Sequence, residues 1–138
     1  MKTYSTNYKN TFIEIADDCP VKGAEVPPQK EGEKTAAIIQ FEMIKRNPYK
    51  FTSDDIFFSV YSIKNKIPTK DKAKEKEKFF SKGQPCFRGS PLTKRYGWGV
   101  HSNAEGKIAI YEVESAEYKK LSKDKNLTHL KALRSKRV

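Results

Sequence analysis

The sequence predicts an α+β fold, a single small domain in which an antiparallel hairpin or small sheet packs against several helices. The chain has 138 residues, which suits one domain with one hydrophobic core. Capped helical patterns and short strand patterns are mixed without a regular strand–helix–strand alternation, which favours α+β over α/β. Seven Tyr, eight Phe and one Trp are too many aromatic residues for a disordered chain.

The first element is a short strand within residues 11–17. Ile13 and Ile15 alternate with Glu14, and alternation of apolar and polar residues is typical of a strand with one buried face. Residues 22–33 follow with paired prolines and two glycines. Because these residues oppose both helix and regular strand pairing, the segment predicts an exposed connection.

The second element is a helix that Thr35 caps and that runs to about Arg46. The sequence Asn47-Pro48 predicts its end, because the residue before a proline is disfavoured in helical conformation. Its broad apolar face comprises Ala36, Ala37, Ile39, Met43 and Ile44.

Residues 53–64 are interpreted as a helix, with a strand as the alternative. Thr52 is a capping residue followed by acidic side chains that favour a helix N-terminus. The alternation of Ile56, Phe58 and Val60 also fits a strand, so the pattern leaves this choice open. The helical apolar spacing is carried by Ile56, Val60, Ile63 and Ile67.

The middle of the chain predicts a solvated helix followed by a hairpin. Residues 70–78 mix lysines with acidic residues at helical spacing and lead into Phe79. Residues 96–102 and 107–113 are strand patterns separated by a short turn, in which Gly106 is available for a positive φ.

Two helical segments are expected at the end of the chain. Ser115 caps a helix that runs through Leu121. Leu127, Leu130 and Leu133 then recur at a spacing that predicts a last helical turn or two against the core.

The net charge of +11 is concentrated near the C-terminus. Residues 119–138 contain eight Lys and Arg residues against Asp124 alone. Such a basic segment attracts polyanions such as nucleic acid, although it also serves simply as a solubilising tail.

The chain is expected to be cytoplasmic. No apolar run approaches the length of a membrane span, and the first residues have no signal-peptide pattern. Cys19 and Cys86 form neither a disulfide framework nor a metal-binding pair, so no metal and no cofactor are expected.

Several phrases span nearly the whole chain and together resemble one family. They lie at residues 11–20 (TFIEIADDCP), 47–55 (NPYKFTSDD), 79–86 (FFSKGQPC), 90–102 (SPLTKRYGWGVHS), 107–115 (KIAIYEVES) and 133–138 (LRSKRV). The chain thereby resembles an uncharacterised family of short bacterial proteins, labelled only as a domain of unknown function. The resemblance implies a single domain and carries no activity, cofactor or catalytic residue.

Residues 79–102 are the strongest candidate for a functional segment. They contain one of two cysteines, one of two histidines, the only tryptophan and four glycines. Prolines and glycines impose a particular backbone path, and segments of this kind often line binding sites.

The leading hypothesis is that this segment binds an anionic ligand, either nucleic acid or a phosphorylated metabolite. Its cations would contact phosphate, and Trp98 would offer a flat face for a base or sugar. Core packing is the ordinary alternative for the tryptophan. The cations are Lys82, Arg88, Lys94 and Arg95.

Two other functional classes compete with this hypothesis. In an enzyme acting on a small anionic substrate, Cys86 would be the nucleophile, His101 the base and Arg88 the anion clamp. The ordinary alternative is a buried Cys86 and a structural His101. In a protein-interaction module or homodimer, the aromatic hairpin would be the interface. Asp17, Asp18 and Cys19 form a further polar cluster, best explained by turn hydrogen bonds.

Overall fold

The computed structural model describes residues 3–29, 32 and 34–135. A four-stranded sheet has the order β3-β2-β1-β4 and carries helices on both faces. The strands are β1 (Thr11–Glu14), β2 (Trp98–Ser102), β3 (Ile108–Glu112) and β4 (Thr128–Lys131). The helices are α1 (Ala36–Arg46), α2 (Ser53–Lys64), α3 (Lys72–Phe80), α4 (Pro91–Lys94) and α5 (Ala116–Ser122). The predicted α+β class is therefore confirmed.

The sheet combines an antiparallel meander with one parallel pair. β2 pairs antiparallel with both β1 and β3, whereas β4 pairs parallel with β1. The predicted hairpin is β2–β3, and Gly106 in its turn has φ +80°. The amide of Gly106 donates to the Asn103 carbonyl over 3.0 Å, which closes the turn.

The pairing register gives the sheet two different faces. Ile110, Val100, Ile13 and Leu130 align across all four strands on the face that packs against the main core. Successive side chains of a strand point to opposite faces of the sheet, so the neighbouring row of aligned residues faces away from the main core. That second row comprises Ala109, His101, Phe12 and His129.

Side-chain caps fix the helix starts where the sequence predicts them. The Thr35 hydroxyl accepts from the Ile38 amide over 3.3 Å at the start of α1. Thr52 and Asp55 form a reciprocal capping box, which settles residues 53–64 as helix α2. Ser115 caps α5 in the same way as Thr35 caps α1.

The apolar stripe of α2 is only partly buried. Ile56 is fully buried and Val60 is 9% exposed, whereas Ile63 is 56% exposed. The spacing therefore identified the helix correctly, while the core contact ends before Ile63.

The predicted helical turn at Leu127, Leu130 and Leu133 is also wrong. The chain there forms β4, whose Thr128 amide donates to the Asn10 carbonyl over 2.8 Å. The leucine spacing is a pattern within one short segment. The backbone carbonyls at the edge of β1 need hydrogen-bond donors, and this distant segment supplies them as a strand. Leu133 is 50% exposed and adds little to the core.

The segment 79–102 is more regular than a loop. It includes the end of α3, a 3₁₀ turn at Phe87–Gly89, α4 and β2. Residues 22–29 lack helix and strand as expected, while 30, 31 and 33 of the predicted connection lie outside the described residues. Among the described helices, none is long and apolar enough to span a membrane.

Candidate anion-binding cavity

A cavity of about 420 Å³ lies between the first turn of α1 and the segment around α4. It contains two of the cations that the sequence singled out, Lys94 and Arg95. The other lining residues are Pro28, Thr35, Ala36, Ala37, Gly89, Pro91 and Tyr96. The described lining therefore carries two positive charges and no carboxylate.

Buried neighbours hold the two cations in place. Leu92 and Thr93, directly before Lys94, are completely buried. The Thr93 hydroxyl donates to the Phe87 carbonyl over 2.6 Å. Lys94 is half-buried and Arg95 is exposed, so their backbone is anchored while their side chains remain accessible.

A buried hydrogen bond fixes α1 against α4. The Ser90 hydroxyl donates to the Gln40 side-chain oxygen over 2.7 Å, and both residues are buried. Because this bond lies in the interior, water does not compete with it. The walls of the cavity thus have a defined spacing.

The first turn of α1 adds favourable electrostatics for an anion. The first amides of a helix lack intrahelical partners, and the helix dipole makes this end positive. The Thr35 hydroxyl accepts from the Ile38 amide, and Ala36 and Ala37 of this first turn line the cavity. No acidic residue occurs in the first turn of α1.

Arg88, in contrast, is engaged with the C-terminal strand. Its Nε donates to the Lys131 carbonyl over 2.7 Å, and its own carbonyl accepts from the Leu133 amide over 2.8 Å. Arg88 does not line the cavity with Lys94 and Arg95. Its side chain therefore has a structural role in attaching β4.

The two remaining candidates also lie outside the cavity lining. Lys82 is exposed just after α3. Trp98 is 4% exposed and donates its indole N–H to the Glu25 carbonyl over 2.8 Å. Its ring meets that of Phe41 edge-on at 5.1 Å. The tryptophan thus belongs to the core, whereas Tyr96 supplies the aromatic group in the cavity wall.

Cys86 contacts a tyrosine from the N-terminal segment. The Tyr8 hydroxyl lies 3.4 Å from Cys86 Sγ, and this hydrogen bond, together with burial, raises the pKa of Tyr8 to about 12. Tyr8 packs against the main core, as does Phe87 beside the cysteine.

His101 has a separate set of partners. Its Nδ1 lies 2.7 Å from the Tyr49 hydroxyl, which also lies 2.8 Å from the Tyr111 hydroxyl. Burial lowers the pKa of His101 below its usual value. His101 points to the sheet face opposite Val100 and the main core, so it does not meet Cys86.

The acidic residues after β1 attach the C-terminal segment. Asp17 lies 2.7 Å from Lys131 and 3.5 Å from Arg134. Asp18 accepts from the Ser135 amide over 2.9 Å. Within the described part of the chain, no group of three or more His, Cys, Asp or Glu side chains could hold a metal.

The contribution of α1 to the cavity was not among the predictions from the sequence. The available signal was Lys34-Thr35-Ala36-Ala37, a capped helix start without the usual acidic residues. What it could not provide was the approach of this helix start to Lys94, which is about 60 positions away in the sequence.

Comparison with protein families gives a match over the full length of the chain. A family model described as a family of unknown function (DUF6157) matches residues 1–138, so the chain belongs to that family. Comparisons with curated proteins and with solved structures give no match.

Proposed function

We propose that this protein is a small module that binds a phosphate-bearing ligand in the cavity between α1 and α4. The observation that carries the proposal is the convergence of Lys94 and Arg95 on the first turn of α1, with no described carboxylate among them. Two cations and the positive end of the helix dipole together favour an anion. The proposal retains the sequence-based expectation of a cytoplasmic protein.

The concave shape favours a phosphorylated metabolite over a nucleic acid. A cavity of about 420 Å³ falls within the range of small-molecule sites, about 300–1,000 Å³. A polyanion would instead be favoured by an extended basic face. Tyr96 offers an apolar wall against which a sugar or ring would pack.

The test is the thermal stabilisation of the protein by pyrophosphate and by a nucleoside monophosphate at low ionic strength. A ligand that binds only the folded state raises the unfolding temperature, with about 2.7 kcal/mol of stabilisation at a hundredfold excess over its Kd. We expect Lys94→Gln and Arg95→Gln to remove this stabilisation. Lys82→Gln, with the same charge change outside the cavity, should retain it.

A further variant separates binding from folding. Ala36→Glu places a carboxylate in the first turn of α1, where the helix dipole favours negative charge. The variant should fold at least as stably as the parent protein and yet lose the ligand effect. If neither probe stabilises the protein, or if Lys82→Gln weakens binding as much as Arg95→Gln, the assignment of this cavity is wrong. Stabilisation by a short oligonucleotide alone would favour nucleic acid.

A further inference from the structure

A second cavity, of about 530 Å³, runs along α1 and reaches the last turn of α2. Its floor is apolar and comprises Ile39, Met43 and Ile63. Of these, Ile39 is buried but Ile63 is 56% exposed. The apolar stripes of both helices thus continue beyond the main core into an accessible groove.

The first supporting observation is that Ile63 adds exposed apolar surface to the groove beside Ile39 and Met43. Ile56 and Val60, on the same stripe of α2, are buried in the protein. Ile63 continues this stripe but leaves more than half of its surface to solvent. An apolar ligand in the groove would cover this surface and gain the corresponding hydrophobic free energy.

The charges at the rim are the second observation. Glu42 lies 2.7 Å from Lys34 and 3.2 Å from Arg46, so this carboxylate is already shared between two cations. Lys64, next to Ile63, forms no ion pair with any described residue. The rim therefore retains a cation that is available to a ligand, directly beside the exposed apolar surface.

We propose that this groove binds an amphipathic monocarboxylate, with an apolar body and one carboxylate. The apolar body lies against Met43 and Ile63, and the carboxylate pairs with Lys64. The assignment rests on charge complementarity and on the apolar floor. It is independent of the phosphate-bearing ligand proposed for the cavity at Lys94 and Arg95.

The experiment is a titration of the isotope-labelled protein with decanoate below its micelle concentration, followed by backbone amide shifts in NMR spectra. Saturable shifts are expected within residues 39–47 and 62–65. Decyltrimethylammonium, which has the same chain and the opposite charge, should bind more weakly. Acetate, which has only the head group, should cause no saturable shift at these residues.

Two variants test the assigned contacts. Ile63→Asn should weaken decanoate binding by about fivefold, since it removes an apolar contact. Lys64→Gln should weaken binding and reduce its dependence on salt, because exposed ion pairs are screened. Both positions are exposed, so folding is expected to persist and is checked in the same spectra. Lys70→Gln, an exposed charge outside the groove, is the matched control and should leave the affinity unchanged.

Three outcomes would overturn the proposal. They are shifts distributed over the whole surface, equal affinity for the cationic amphiphile, and unchanged decanoate affinity in both Ile63→Asn and Lys64→Gln. Pyrophosphate should not compete with decanoate, because the two cavities share none of their lining residues. A negative result for decanoate therefore leaves the proposed phosphate-binding function untouched, and the reverse also holds.

Discussion

Gly99 shows how one missing side chain permits the packing of α5 on the sheet. A Cβ at this position would lie 2.6 Å from the Tyr118 ring and 2.7 Å from the Phe12 ring. Those two rings meet edge-on at 5.0 Å, so neither moves without disturbing the other. The glycine is therefore required by close packing rather than by its backbone conformation.

Replacing Gly99 with Ala should destabilise the protein by about 1–3 kcal/mol, the usual cost of overpacking a core. The measurement is the free energy of unfolding in urea. Gly83→Ala is the matched control, since a Cβ there meets nothing within 4 Å. Equal unfolding free energies for the two variants would show that the sheet and α5 adjust freely.

His101 is the residue from which we expect a pH effect. Burial lowers its pKa below the ordinary value of 6.5, against a smaller opposing effect of Asp124. The unfolded chain therefore binds a proton at a higher pH than the folded protein does. It follows that the contribution of His101 to the free energy of unfolding is full above about pH 6.5 and declines as pH falls through the folded pKa of His101.

The direct measurement is an NMR titration of the His101 ring. Its midpoint should lie below 6.5, and the free energy of unfolding should decline over the same pH range. A midpoint at or above 6.5 would contradict the effect of burial. His101→Gln, if folded, should show a weaker decline of stability with falling pH.

At the scale of elements, β4 is attached to the fold by contacts from two distant segments. Its neighbour β1 supplies the backbone pairing, including a 2.9 Å bond from the Ala132 amide to the Glu14 carbonyl. On the other side of β4, Arg88 donates to the Lys131 carbonyl. The strand is short and exposed, so the loss of one such bond should be detectable locally.

Arg88→Ala should therefore loosen β4 more than the rest of the sheet. We expect faster hydrogen exchange at the Thr128 and Ala132 amides and a loss of about 1 kcal/mol in the free energy of unfolding. Lys82→Ala is the control and should change neither quantity. If exchange at Thr128 and Ala132 is unchanged in Arg88→Ala, the hydrogen bond to Lys131 contributes nothing to the attachment.

At the scale of the whole molecule, the net charge of +11 raises the question of which cations would bind a polyanion. Two cations of the basic segment, Lys131 and Arg134, are paired with Asp17, and residues 136–138 of this segment lie outside the described residues. Removing the segment would also remove β4. Substitution of lysines on α5 and just after it is therefore the cleaner test of polyanion binding.

The triple variant Lys119→Gln, Lys120→Gln and Lys123→Gln should weaken binding of a generic oligonucleotide if this segment neutralises phosphates. The slope of log K against log salt should fall by about 0.9 for each phosphate that is no longer neutralised. The control is Lys72→Gln, Lys74→Gln and Lys76→Gln on α3, which removes the same charge elsewhere. Identical slopes for the two variants would mean that oligonucleotide binding depends on the overall charge and not on the lysines of this segment.

Local chemistry within the sequence determined most of the elements. Thr35, Thr52 and Ser115 predicted three helix starts, because a hydroxyl cap acts on amides only a few residues away. Gly106 predicted the hairpin turn for a similar reason, since its positive φ is a property of one residue.

The tertiary structure decided what depends on distant partners. The last part of the chain has leucines at helical spacing, at Leu127, Leu130 and Leu133. It nevertheless forms a parallel strand, because its backbone hydrogen-bonds to β1. Arg88 and Arg95 are close in sequence, yet one joins β4 and the other lines the cavity with α1. Hydrogen bonds and cavities of this kind join residues that are far apart in the chain, so no local pattern encodes them.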